Sequence, residues 1–358
     1  MSAPAVGAMP GGGRWRAPPA LLLGAALLLA GVLAVQAGAV PVGLEDWWAL
    51  LAPADATVAS PTGLAGGAHV LWHLRLPRAL LAILVGAGMG LAGALTQGLF
   101  RNPLADPGLL GVSAGAACAA AVTIVLVSGP VLTLPPAWRP WTLPVAAFAG
   151  ALGVCFTLDR VARWITPGSI SGLLLTGVAL NALAAALIGL CTYLATDEQL
   201  RSLSFWTLGS LAGARWGLVL LMAGLLLAAV WPLRQIVRSL NALALGEAAA
   251  AHVGVDVQRL RSRVIVVVAV LAGFSVAWCG MIGFIGLIAP HLVRVWLGGD
   301  QRRVLPLSPL MGALLLLVAD TLARTVAIPA EIPVGIFTAL LGSPFFLFLL
   351  RGARGRIS

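Results

Sequence analysis

Few residues in this chain are equipped for chemistry. Its 358 residues hold twelve carboxylates, four histidines and four cysteines. Cys118, Cys155, Cys191 and Cys279 lie in separate apolar stretches. Their spacing fits no zinc or haem-attachment pattern, so they read as small core residues. His69, His73, His252 and His291 read as isolated. No serine–histidine or paired-aspartate arrangement accompanies them, so acid–base or nucleophilic catalysis has no candidate machinery. All 22 basic residues are arginines and lysine is absent. A Walker A loop needs its lysine on the nucleotide phosphates, so any ATP that drives this protein is handled by another chain.

The polar residues that remain punctuate apolar runs, and three clusters stand out. Arg75 and Arg78 bracket Pro77 just before a helix, and two fixed cations there make a binding point for an acidic partner or an anchor for lipid headgroups. At the other end of that helix, Arg101-Asn102-Pro103-Leu104-Ala105-Asp106-Pro107 carries two prolines four apart, which no helix continues through. A stiff polar break of this kind suits a constriction or an ordinary turn. The stretch from Arg234 to Arg263 reads as a polar loop holding a short helix, Leu243–His252. Gly246 and Glu247 open that helix and Gly254 ends it. An acid in the first turn suits the helix dipole, and the helix is a candidate to dock into a groove on a partner.

The elements that must position these clusters follow from composition. The chain is 60% hydrophobic and 9% charged, with mean hydropathy +1.01. A soluble domain of this length needs far more surface charge. The apolar runs are continuous rather than alternating, which excludes a β-barrel. We expect an all-α polytopic membrane protein with spans near 20–40, 78–100, 109–127, 143–158, 171–195, 218–233, 264–283, 288–297, 305–322 and 336–350. The eighth is too short to cross alone and must be shielded by its neighbours. The expected organisation is an N-terminal tail over 1–19, one transmembrane domain over 20–350 and a tail over 351–358. The run after Arg14 and Arg16 resembles a signal peptide but is longer than the usual apolar core of one, so it reads as a retained first helix.

With the N-terminus inside, fifteen arginines fall on the cytoplasmic side and six outside, which favours both termini inside. This distribution accounts for the net charge of +10 without nucleic acid. Gly86 and Gly90 have the spacing of close helix packing. Gly280, Gly283 and Gly286 with Pro290 should interrupt a helix, as in transporters whose broken helices border the pathway.

Six segments in order carry a resemblance: RLPR (75–78); RNPLADPGLLGVSAGA (101–116); FWTLGS (205–210); LNALALGE (240–247); GFIGLIAPHLVR (283–294); and AEIPVGIFTALLGSPFF (330–346). Together they resemble the permease family of type II ABC importers, which move haem, iron(III)-siderophores and vitamin B12. The resemblance implies ten transmembrane helices of the type II ABC importer fold, a homodimer with its pathway on the dimer axis, and two ATP-binding cassette ATPase subunits. It implies a bacterial inner-membrane location, with lipid around the spans. A periplasmic substrate-binding protein would dock acidic residues on Arg75, Arg78 and Arg324. Asn102 and Leu104 would form the cytoplasmic gate with Thr166 and Ser169 nearby, although Pro167-Gly168 departs from the family pattern there. The helix from Leu243 through Gly246 and Glu247 to Gly254 would couple to the ATPase. No cofactor or metal is implied on this chain, and ATP would sit on the partner.

The motifs look most like those of haem permeases, with siderophore and cobalamin permeases sharing most letters. Arg201, just before Phe205-Trp206, is a candidate contact for a haem propionate. An ion-coupled secondary transporter is the rival reading. Coupling usually leaves an ionisable residue at mid-membrane, whereas Asp159, Asp320 and Glu331 sit near span ends.

Overall fold

The computed structural model describes residues 18–51, 64–127, 134–166 and 169–353. The arginines at 14 and 16, Pro167-Gly168 and the residues after 353 lie outside the described residues. Among the described residues every regular element is helical: α1 (Pro19–Gln36), α2 (Leu44–Leu51), α3 (Leu64–Val70), α4 (Leu76–Phe100), α5 (Val112–Leu126), α6 (Arg139–Ile165), α7 (Ile170–Leu194), α8 (Asp197–Leu208), α9 (Trp216–Leu243), α10 (Glu247–His252), α11 (Val257–Cys279), α12 (Ile285–Leu297), α13 (Gln301–Thr325) and α14 (Val334–Ala353). Seven helices among the described residues are long and apolar enough to cross a bilayer. Three shorter apolar helices, Val112–Leu126, Ile285–Leu297 and Val334–Leu347, coincide with the remaining expected spans.

The helix running to the end of α4 is the axle of the bundle. In that helix 78% of the apolar window is buried, against 17% for α1 and for α7. Helices α13, α12, α11 and α9 pack around α4, and α11 passes the packing on to α6, which holds α5 and α7. Small residues make this possible. A Cβ on Gly86 would lie 2.4 Å from the Gly312 carbonyl oxygen, and one on Gly90 would lie 2.3 Å from that of Ser308. Those two glycines face α13, so backbone meets backbone where lipid gives helices little reason to associate.

Two expected boundaries move. The helix carrying Arg75 does not start at Pro77. It is continuous from α3 through a π turn, Leu71–Arg75, into α4. The wider turn falls just ahead of Pro77, which has no N–H to donate. Arg75 and Arg78 therefore project from a helix interior. The polar stretch from Arg234 is mostly helix too. Helix α9 runs to Leu243 with Ile236, Leu240 and Leu243 buried, an apolar stripe at spacings of four and three that continues the helix past its arginines. The break after Cys279 is present. Gly280 has φ 70° and Phe284 φ 65°, and α12 then runs straight through Pro290.

Candidate functional site

At the N-terminal end of α4 the three arginines are brought together, and each has local partners. Arg75 is buried, and its guanidinium donates to the carbonyls of Val35 at 2.9 Å, Gln36 at 3.0 Å and Val40. Arg324, near the end of α13, donates to the Ala37 carbonyl at 2.8 Å and to that of Ala34. The carbonyls of Ala34, Val35 and Gln36 are ones left unpaired at the C-terminus of α1, and those of Ala37 and Val40 follow it. Two cations there also complement the negative end of its dipole. Arg75 and Arg324 thus fasten α1, which is otherwise mostly exposed, to the bundle.

Arg78 differs. Its Nε and Nη2 face Asp320 at 2.9–3.2 Å, and its Nη1 faces Glu331 at 2.9 and 3.0 Å. Asp320 is also within 3.9 Å of Arg324. A cup of about 210 Å³ opens over this cluster, lined by Val40, Arg75, Arg78, Arg324 and Glu331 among others. One turn away, His69 and His73 are not isolated as the sequence reading had them. They are four residues apart, with ring centroids 4.4 Å apart. No group of three metal-binding side chains occurs among the described residues.

At its C-terminal end, α4 stops at Arg101, whose left-handed φ of 51° sends its N–H back to the Gln97 and Gly98 carbonyls. The break is held by its own side chains. Leu104 N–H donates to Asn102 Oδ1 at 2.9 Å, and Gly108 N–H donates to Asp106 Oδ1 at 2.8 Å. Asn102 is exposed and Leu104 half-buried. Asn181 on α7 donates to the Gly108 carbonyl at 3.3 Å. In the second loop, Thr166 bonds back to Ala162, and Ser169 caps α7 by accepting from Gly172 N–H at 3.0 Å. No hydrogen bond or ion pair joins this loop to the Asn102–Leu104 break among the described residues.

The short helix expected in the polar stretch is α10, Glu247–His252. Gly246 precedes it with φ 115°, Gly254 follows with φ 84°, and Leu243 is the buried last residue of α9. Arg101 is its neighbour, because a Cβ on Gly246 would lie 3.9 Å from the Arg101 Nη1. The exposed Leu245 and Val253 flank α10 and give it apolar surface beyond the bundle.

A third feature escaped the sequence reading. Helices α5, α7 and α8 frame a groove of about 470 Å³ lined by Ser113, Ala117, Asn181, Ile188, Ser204, Thr207 and a few others, none of them charged. Asn181 Oδ1 is buried there without a partner. Arg201 is exposed on α8, one turn before Ser204. The signal for α8 was present: Thr196 and Gln199 form a reciprocal capping box with Asp197 and Glu198 in the first turn.

Residues 26–352 match the FecCD transport family. The chain belongs to that family. A hemin transport system permease protein, HmuU of Yersinia pestis, is 42% identical over 94% of this chain and 96% of its own length. A vitamin B12 import system permease protein, BtuC of Klebsiella pneumoniae, is 42% identical over 82% of this chain and 85% of its own length. A solved metal-chelate type ABC transporter in an inward-facing conformation superposes with TM-score 0.75 at 31% identity, covering 93% of this chain and 98% of that one. This FecCD protein is a multi-pass permease subunit of an ABC importer, a transport component and not an enzyme. Importers of this kind pair such a permease with ATPase subunits and a substrate-binding protein.

Proposed function

We propose that this permease carries haem from a periplasmic binding protein into the cytoplasm across the bacterial inner membrane, working as a homodimer on two ATPase subunits with both termini inside. The match to a hemin permease, at 42% identity over nearly its whole length, carries the choice of ligand. The uncharged groove between α5, α7 and α8 supports it, since a flat apolar ring needs such walls, and in this reading the exposed Arg201, one turn before Ser204, meets a carboxylate at the edge. ATP binds on the partner ATPase, and this chain holds no cofactor of its own. Vitamin B12 is the second reading, supported by B12 permeases at 39–42% identity.

In this reading Arg75, Arg78 and Arg324 form the docking surface for the binding protein. Asn102 and Leu104 form the cytoplasmic gate with Thr166 and Ser169. Leu243, Gly246, Glu247 and Gly254 frame the ATPase coupling helix. Proteoliposomes containing the permease and its ATPase should accumulate haem from a haem-loaded binding protein only with ATP. Accumulation of cobalamin or a ferric siderophore with none of haem overturns the choice of ligand. Uptake by the permease alone under an ion gradient overturns the importer mechanism.

A further inference from the structure

We propose that Glu331 is a built-in stand-in for a carboxylate of the docking partner, and that docking exchanges one for the other on Arg78. The proposal rests on reading the outer arginines as the docking surface.

The two carboxylates on Arg78 are not equivalent. Asp320 takes the Nε–Nη2 edge and is almost fully buried, with 2% of its side chain exposed. Its loss would leave a buried cation without its counter-charge, which is costly. Glu331 takes Nη1 with both oxygens, at 2.9 and 3.0 Å, and 48% of its side chain is exposed. The pair is open on the Glu331 side alone, since 14% of the Arg78 side chain is exposed, so the glutamate is the member that can exchange with an outside carboxylate at modest cost. Glu331 also sits in the connection between α13 and α14, where the Ile332 N–H bond to the Ala323 carbonyl at 3.1 Å holds the next residue. Its side chain can leave while the backbone stays.

Charge counting gives the reason for an exchange. Among the described residues, the charged side chains facing the cluster are Arg75, Arg78 and Arg324 against Asp46, Asp320 and Glu331. Asp46 is buried at the start of α2, where it accepts from Gly43 N–H. Three cations meet three anions, so these groups together present no net attraction to an acidic partner. Of these anions Glu331 is the exposed one, on the rim of the 210 Å³ cup. When it swings away, one positive charge and the Arg78 Nη1 are released in a space that admits a carboxylate side chain. The other two arginines keep their donors on α1 and hold the rim in place.

The test uses the permease–ATPase complex in lipid nanodiscs and the binding protein that supports its ATP-driven uptake. Affinity is measured at low and physiological salt. Glu331→Gln keeps the shape and removes the charge, and it should tighten binding roughly two- to fivefold at low salt, with a smaller gain at physiological salt. The double variant Arg78→Gln/Asp320→Asn keeps the buried pair neutral, and size-exclusion chromatography reports whether it folds. It should weaken binding and abolish the Glu331→Gln gain. If a folded double variant binds like the wild type, the docking reading fails. If it weakens binding while Glu331→Gln leaves affinity unchanged or lower, docking stands and the exchange is refuted. Where the double variant does not fold, an unchanged or lower affinity of Glu331→Gln at low salt is itself the refutation.

Discussion

Gly93 is where α4 comes closest to another backbone. A Cβ there would lie 1.8 Å from the Gly286 carbonyl oxygen, 2.5 Å from its carbonyl carbon and 2.8 Å from its Cα. Real Cβ atoms keep at least 3.0 Å from such atoms, so Gly93→Ala must part α4 and α12 by about 1.2 Å (3.0 − 1.8). The obstacle is backbone, which cannot rotate aside like a long side chain. Overpacking commonly costs about 1–3 kcal/mol, and a backbone collision belongs at the upper end. Replacing glycine by alanine in a helix returns about 1 kcal/mol, leaving a net loss of about 2 kcal/mol. The control is Gly224→Ala on α9, where a new Cβ meets nothing within 4 Å and the propensity gain stands alone. Thermal unfolding of the purified complex should show a midpoint lowered by several degrees for Gly93→Ala and unchanged or raised for Gly224→Ala. Transport should fall as well for Gly93→Ala, because a Cβ on Gly286 would touch Pro107 at 3.0 Å and moving α12 therefore disturbs the proposed gate. Equal midpoints for the two variants would refute the close-packing argument.

Arg324→Gln should cost about 2 kcal/mol through lost charged hydrogen bonds to the end of α1, seen as faster protease cleavage after α1 and a lower unfolding midpoint. Arg261 on α11 is fully buried, and its three guanidinium nitrogens have no hydrogen-bond partner. Glu247 and Asp159 act on that charge without hydrogen-bonding it. Replacing buried ionic groups by apolar side chains of similar volume is often neutral or gains about 1–4 kcal/mol, so Arg261→Met should hold or raise the midpoint, and a clear drop would contradict the burial argument. The exposed Asp300 carboxyl is held below the ordinary carboxylate range, first by the Arg302 N–H and next by the Asn241 amide. A depressed native value contributes stability above the unfolded value, lost as pH falls through the folded value. Wild type and Asp300→Asn should therefore differ most near neutral pH and converge in acid, read as unfolding midpoint against pH. Glu247→Arg puts a cation at the positive end of α10 and should weaken co-purification with the ATPase while leaving membrane insertion intact.

The helical membrane class, the position of every long apolar run and the polar break at 101–107 were legible because each rests on local composition. The glycine-rich face of α4 was legible as close packing, though not which helix it meets. What escaped had identifiable causes. The ten residues of α9 past Leu233 looked like loop because Arg234 and Arg238 dominate the composition, while the buried stripe of Ile236, Leu240 and Leu243 is sparse. The short helix α8 carries a clear capping signature but little hydropathy, so a reading built on apolar runs passes over it. The partners of Arg75 and Arg324 could not be read at all. They are carbonyl oxygens of α1, up to 290 residues away in sequence, and a carbonyl is the same whatever residue bears it.

The three proposed sites of action meet on one element. Helix α4 is 25 residues long, about 37 Å at 1.5 Å per residue, enough to cross the hydrocarbon core of a bilayer. Its N-terminal end carries Arg78, with Arg75 immediately before it. Its C-terminal end carries Arg101, which lies beside Gly246 at the start of the proposed coupling helix, and then the break holding Asn102 and Leu104. Between those ends nearly every residue is buried, and the glycines bring neighbouring backbones into contact with it. Such a helix has little room to bend or to rotate residue by residue. In the proposed mechanism a displacement imposed at α10 would reach the break through Arg101, and it would reach the proposed docking arginines only by shifting α4 as a body against α12 and α13. The small-residue crossings at Gly86, Gly90 and Gly93 are the surfaces on which that shift must slide. This is why a single methyl group at Gly93, some distance from every proposed site residue, is expected to impair transport.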